Sequence, residues 1–235
     1  MSEIPEFNGF DKQTLTFLRQ LAKNNNRKWF EAHRDDYEQY FVQPAQALVM
    51  ALGPRLKKLS PGINYDPNHT GRGSIKKIFT DQRYRDRKPY KTWLGLIFWE
   101  GPFKAKKDNS VFGLRLTPDG LWFFSGLKHF DAKVLKAYRD AVDDAKLGPA
   151  LTRAINQVRK RGDYMFPEPE YKQVPRGFDA DHPRADLLRN KAMLAWRCDQ
   201  LPPELHSAKL LDYAYARLKD MAPVHKWCVE MLAGL

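Results

Sequence analysis

From Asp11 to Leu59 the apolar residues recur at spacings of three and four. Leu15, Leu18, Leu21 and Ala22 form one stripe behind Asp11, a residue suited to cap a helix N-terminus. The polar run Asn24-Asn25-Asn26 ends that stripe, and one of these asparagines is suited to cap a second helix carrying Trp29, Phe30, His33, Tyr37 and Phe41. Pro44 either kinks this helix or sits in the first turn of a third, where its missing N–H costs nothing. The third repeats the stripe with Leu48, Leu52, Leu56 and Leu59, and Pro61-Gly62 stops it.

The period then changes. Residues 62–73 are rich in Gly, Asn and Pro and read as a loop, whereas Ser74–Phe79 and Thr92–Trp99 are short, rich in Ile, Phe and Trp, and read as strands. In 111–126, Phe112, Leu114 and Leu116 alternate with Gly113, Arg115 and Thr117. Pro118-Asp119-Gly120 supplies turn chemistry, and Leu121-Trp122-Phe123-Phe124 returns, which predicts a hairpin. Helices are predicted over 132–146 and 148–161, separated by Gly148-Pro149, and strands over 171–174 and 192–198 around an irregular stretch, 175–184. Arg184–Leu188 reads as a capped helical turn. A last helix places Leu211, Ala214, Tyr215, Leu218 and Met221 on one face, and a short helix follows Pro223.

Strands and helices do not alternate regularly, so the pattern predicts an α+β fold. It is a mostly antiparallel sheet of about five to six strands with N-terminal, middle and C-terminal helices packed on it. No repeat and no Pro/Ser/Gly linker divides the chain. A single domain over 1–235 is expected, with a helical N-terminal region over 1–60, a sheet-forming core over 74–200 and C-terminal helices over 203–235.

Composition adds a charge. Across 235 residues there are 40 Lys+Arg against 28 Asp+Glu, a formal net charge of +12. Such a field favours nucleic acid, anionic surfaces or small phosphates and carboxylates, or simply serves solubility. The two cysteines, Cys198 and Cys228, show no metal spacing and suit a reducing cytoplasm, the expected location. MSEIPEFNGF has no basic stretch followed by an apolar run, and runs such as 94–99 are far shorter than the roughly 20 residues a bilayer span needs, so neither a leader nor a transmembrane segment is expected. P-loop, GxGxxG, GxSxG, HExxH, zinc-finger and RNA-recognition motifs are absent, and no cofactor and no metal site are expected.

The charge is concentrated. Residues 71–107 hold eleven Lys or Arg against three Asp or Glu, a net +8, interleaved with Phe79, Tyr84, Tyr90, Trp93, Phe98, Trp99 and Phe103. Guanidinium groups grip phosphate or carboxylate with two prongs, and aromatic faces stack on rings. The same composition also suits a strand–loop–strand with core aromatics and solvated cations. Within it, RYRDRKPYK (83–91) is too charged for a buried strand and reads as an exposed loop; Asp81 in a strand would share a face with Arg83. A second candidate is the corner NNNRKWF (24–30), where Arg27 stands at a helix start that favours anions, or where an asparagine is merely a cap. The third is PRGFDADHP (175–183), which gathers Arg176, Asp179, Asp181 and His182.

These three segments, in this order, resemble a widespread family of uncharacterised bacterial proteins known as a domain of unknown function. The resemblance rests on NNNRKWFEAHRDDYE, a following P…L helix, D-x-R-Y…K-P-Y-K-T, the hairpin and PRGFDADHP, and runs from about Phe7 to the end of the last strand. Thr80 stands where such proteins often carry Arg, and the loop before K-P-Y-K is a residue shorter. The resemblance implies a compact bacterial cytosolic domain and no particular reaction.

The reading favoured by the residues is an uncharacterised protein that binds an anionic, phosphate- or carboxylate-bearing small molecule. The ligand-binding candidates are Arg27, Asp81, Arg83, Lys88, Tyr90, Lys91, Arg176 and His182. Alternatives are a nucleic-acid-binding module using 71–107, an enzyme using Asp81, Asp179 or His182 in acid–base work, and a basic surface that docks an acidic partner. Nothing in the pattern sets an oligomeric state.

Overall fold

A computed structural model of the chain describes residues 4–81, 88–101 and 108–235. Arg83, with the rest of 82–87, and the lysines 104, 106 and 107 lie outside the described residues.

Helix α1 (Lys12–Lys23) starts where the Asp11 carboxylate accepts the Gln13 N–H at 2.7 Å. Helix α2 (Arg27–Ala32) starts where Asn26 Oδ1 accepts the Trp29 N–H at 3.0 Å. The single helix predicted through Phe41 is instead broken at His33. Its ring stacks on Trp29 at 3.9 Å and its Nδ1 sits 2.8 Å from the Trp29 carbonyl, while the His33 N–H turns to Phe30. The side chain thus occupies the acceptor that the next helical turn needs. The chain continues as α3 (Arg34–Tyr37), a π-helical turn (Glu38–Val42) and α4 (Gln43–Lys57), with Pro44 in the first turn of α4.

Strands β1 (Ile63–Asn64), β2 (Leu94–Glu100), β3 (Val111–Thr117), β4 (Gly120–Leu127) and β5 (Met193–Asp199) form one antiparallel sheet in the order β1-β2-β3-β4-β5. Helices α5 (Ala132–Asp143), α6 (Leu147–Arg159) and α7 (Ala185–Leu188) separate β4 from β5; α8 (Leu210–Asp220) and α9 (Ala222–Ala233) follow. The fold is α+β. In the β3–β4 hairpin Phe112, Leu114, Leu116, Leu121 and Phe123 are buried, as the alternation requires, and Trp122 faces solvent. The Thr117 hydroxyl accepts the N–H groups of Asp119 and Gly120 and closes the turn.

Two expected strands are different. Residues 171–174 form none: the N–H groups of Glu170 and Tyr171 both donate to the one Arg189 carbonyl, and the Tyr171 ring is held between Arg139 and Lys191. Residues 74–79 pair with β2 and the chain leading into it only at two isolated bridges, Ile75 with Leu96 and Phe79 with Tyr90. Four steps separate the bridges on one side and six on the other. The longer side bulges, which breaks the ladder.

The chain divides into two compact units. One comprises 1–98, 113–123 and 198–217; the other comprises 99–112, 124–197 and 218–235. The first buries Leu18, Leu21, Phe30, Phe41, Leu48 and Leu52 together with the inward residues of its sheet portion. In the second, α5, α6 and α9 pack on one another and bury Tyr138, Val142, Leu151, Val158 and Trp227. Its interior also holds a polar chain. The Ser110 hydroxyl lies 2.9 Å from His225 Nδ1, Glu100 Oε2 lies 3.4 Å from His225 Nε2, and the ring stacks on Phe112 at 4.1 Å.

His225 is wholly buried, and burial holds its pKa below the ordinary 6.5 against the upward pull of Glu100, with Lys226 adding to the depression. The unfolded chain therefore takes up a proton before the folded one does. This contribution to stability is fully present above about pH 6.5 and is lost as pH falls through the folded value. The melting temperature should decline between about pH 7 and about pH 5, and the decline should be shallower in His225→Asn, measured by circular dichroism. Equal slopes for the two proteins would show that His225 does not carry this dependence.

Candidate functional site

Each asparagine of the 24–26 run has a different backbone task. Asn24 closes α1, its N–H and its side-chain amide both donating to the Gln20 carbonyl. Asn26 opens α2. Asn25 reaches out of the corner: its Nδ2 donates to the Tyr90 carbonyl at 2.8 Å and its Oδ1 accepts the Tyr90 N–H at 3.0 Å. A side-chain amide thus satisfies both main-chain groups of Tyr90 as a neighbouring strand would. The Tyr90 ring is buried, stacked on Phe30 at 4.2 Å, and burial raises its phenol pKa. Glu31 adds to the rise, while Arg27 and Arg34 oppose it. In sequence Tyr90 reads as part of an exposed loop; it is an anchor because Asn25 and Phe30 give it backbone and ring partners that the local sequence does not reveal.

The longer segment between the two bridges runs from Lys91, whose N–H still donates to the Ile78 carbonyl, through Thr92 and Trp93, and all three line a recess of about 470 Å³. Asn25, Lys77, Phe79, Thr80, Asp81, Lys88 and Tyr90 complete the lining. The pairing of 76–80 with 89–95 uses the Lys76 and Thr80 N–H groups and the Ile78 carbonyl. The carbonyls of Lys77 and Phe79 belong to the alternate set that this pairing leaves without a ladder partner. Lys91 Nζ donates to both, at 2.5 and 2.9 Å. Its ammonium is therefore fixed in place, with one of its three donors left over. Burial lowers the Lys91 pKa first, and Lys77 and Lys76 lower it further. Lys88 Nζ lies 3.4 Å from the Ala22 carbonyl, in the last turn of α1, where the helix favours a cation.

Trp93 stands over Gly95, where a Cβ would lie 2.5 Å from the indole, so only glycine lets the ring lie down on β2. Two cations flank the ring: the Arg115 guanidinium at 4.3 Å from its centroid and Lys91 Nζ at 5.6 Å. Burial pushes the Arg115 pKa down. Neither Trp93 nor Arg115 is among the eight ligand-binding candidates, although Trp93 is one of the aromatics interleaved with the charge of 71–107. The signals for them are slight: a glycine two residues after a tryptophan, and the one cation on the outward face of the hairpin.

Of the eight ligand-binding candidates, Asp81, Lys88, Tyr90 and Lys91 line this recess. Arg27 is exposed in the first turn of α2, within electrostatic reach of Tyr90. Arg83 is outside the described residues. Arg176 and His182 belong to the second unit. There the 175–189 segment is stapled to α5. Arg184 Nε donates to the Val142 carbonyl at 2.7 Å, Tyr138 Oη to the Leu187 carbonyl at 3.1 Å, and His182 Nε2 lies 3.3 Å from Asp143 Oδ1. Asp179 Oδ1 accepts the Asp181 N–H at 2.9 Å, closing a local turn, and Gly177 takes a φ of +95° that other residues avoid. Arg176 is exposed beside it. Among the described residues, no group of three or more His, Cys, Asp or Glu side chains is arranged to hold a metal ion, and no helix is long and apolar enough to cross a membrane.

Removing the Asn25 amide strands two part-buried backbone groups. Asn25→Ala should cost about 2 kcal/mol of stability, read from urea denaturation. Asn25→Asp keeps the acceptor but turns a carboxylate oxygen toward the Tyr90 carbonyl, so it should rescue little. A loss within about 0.5 kcal/mol for Asn25→Ala, the range of an ordinary surface substitution, would show that the corner is held by other contacts.

No curated protein and no solved structure matches this chain. A family model described as conserved hypothetical protein (DUF2461) matches residues 13–227, a span running from α1 into α9. The chain belongs to that family.

Proposed function

We propose that the recess at the bulge binds an anionic small molecule through the ammonium groups of Lys77, Lys88 and Lys91. The observation that carries this reading is the state of Lys91. Its ammonium is anchored on two carbonyls, half removed from water, and destabilised by like charges beside it. Like charges gathered in one concavity raise the energy of the empty site, and a phosphate or carboxylate lowers it. The hydroxyl of Thr92 and the second amide proton of Asn25 in the lining add donors suited to the same group.

At low salt, inorganic phosphate or a phosphate monoester should raise the melting temperature, an effect that grows with ligand concentration and fades as salt rises. Lys77→Glu/Lys88→Glu should weaken binding at least about tenfold in calorimetry, since hydrogen bonds to charged groups contribute about 1.5–3 kcal/mol. Both lysines are exposed, so the variant should keep the wild-type circular dichroism spectrum. If no phosphate or carboxylate shifts the melting curve at low salt, the proposal fails.

A second reading, a single-stranded nucleic acid, is favoured by the outward face of the hairpin. The two-residue turn sets Arg115 opposite Trp122 on the neighbouring strand, and Trp122 is 37% exposed. Trp93, Arg115 and Trp122 would then alternate ring and cation along a path that a base and its phosphate can follow. A short oligonucleotide should bind with strongly salt-dependent affinity and lose at least about fivefold in Trp122→Ala. Binding by phosphate monoesters but not by oligonucleotides leaves the first reading alone.

A further inference from the structure

We infer that the ligand of this recess carries a planar ring as well as its negative charge, and that Phe79 is the surface on which the ring stacks; this rests on the anion-binding reading above. Phe79 is 47% exposed although it sits among aromatic residues that are buried. Its position is set from behind: the ring meets Phe30 edge-on at 5.9 Å and Tyr90 at 5.4 Å, and Phe30 and Tyr90 are themselves stacked. Phe79 also lines the recess. A ring held on one side by a packed cluster and open on the other offers a stacking surface with little freedom left to lose.

Charge stands next to this ring by construction. Lys91 Nζ is bonded to the Phe79 carbonyl itself. Lys77 lies two residues before Phe79 on an extended segment, with Ile78 buried between them, so Lys77 and Phe79 share a face. A ring and two ammonium groups thus lie within about two residues of each other, or roughly 7 Å along an extended chain. That separation suits a phosphate joined to a planar base through a sugar, and it is wasted on a bare inorganic ion. The chemical class indicated is a nucleoside phosphate or another aryl phosphate monoester.

The test compares three probes on the full chain by calorimetry at low salt: adenosine 5′-monophosphate, ribose 5-phosphate and inorganic phosphate. The expected result is that the adenosine compound binds at least about fivefold more tightly than ribose 5-phosphate, the lower range for one stacked base. Phe79→Leu should remove that preference while leaving ribose 5-phosphate within about twofold of wild type, and Phe79→Tyr should retain it. Equal binding of the three probes overturns the ring inference and leaves the anion site standing. A preference that survives in Phe79→Leu overturns the assignment to Phe79. If none of the three binds, the anion site fails, and the inference with it.

Discussion

The candidate site depends on one pair of hydrogen bonds, those by which the Asn25 amide takes both main-chain groups of Tyr90. Tyr90 is the last residue before the bulge and the partner of Phe79 across the isolated bridge. Holding it to the α1–α2 corner sets where the bulge begins, and so where Lys91 and Trp93 are delivered. A backbone amide buried without a partner is costly, so the fold has a reason to keep this geometry that is independent of any ligand. The stacked pair Phe30–Tyr90 reinforces it from the apolar side. The asparagine corner and the K-P-Y-K segment, far apart along the chain, are two halves of one structural device.

The bulge itself turns a defect in pairing into a feature. Two extra residues between Lys91 and Gly95 cannot enter the ladder; the lysine keeps its backbone bond to Ile78 at the edge of the bulge, and the tryptophan is carried out of the sheet. The lysine returns to cap carbonyls that the antiparallel pattern leaves over, and the tryptophan lies down over a glycine. Both side chains are thereby held in single positions without a counter-charge from each other. Positive charge fixed in this way does not relax toward solvent as a surface lysine does, and the proposal of an anionic ligand rests on it.

The second unit uses its polar residues differently. The 175–189 segment combines arginine, aspartate and histidine in a way that reads, along the sequence, as chemistry. In space Arg184 serves a helix carbonyl, Asp179 closes a turn, and His182 sits between the Arg184 N–H and Asp143. Ser110, His225 and Glu100 form a hydroxyl–imidazole–carboxylate chain, but the imidazole is wholly buried and stacked on a core phenylalanine. Such networks give a core specificity through satisfied polar groups, and they do so only while the imidazole stays neutral.

Much of the fold is legible along the chain, because local rules suffice for it. The spacing of Leu15, Leu18 and Leu21, the caps at Asp11 and Asn26, the Pro118-Asp119 turn and the alternation around it determine helices and a hairpin with no help from distant residues. The concentration of positive charge between 71 and 107 is likewise a property of the sequence alone. Other features required the tertiary structure. The lost strand at 171–174 depends on a single shared carbonyl at Arg189, and even the helix break at His33, though its partner Trp29 is only four residues away, turns on a side-chain contact that periodicity does not report. Above all, which lysines share a concavity, and which asparagine is a clamp rather than a cap, follow from partners some 65 positions away. Periodicity reports which side of an element is buried; it carries no record of which other element arrives there, because that is decided by pairing between segments that meet only when the chain has folded.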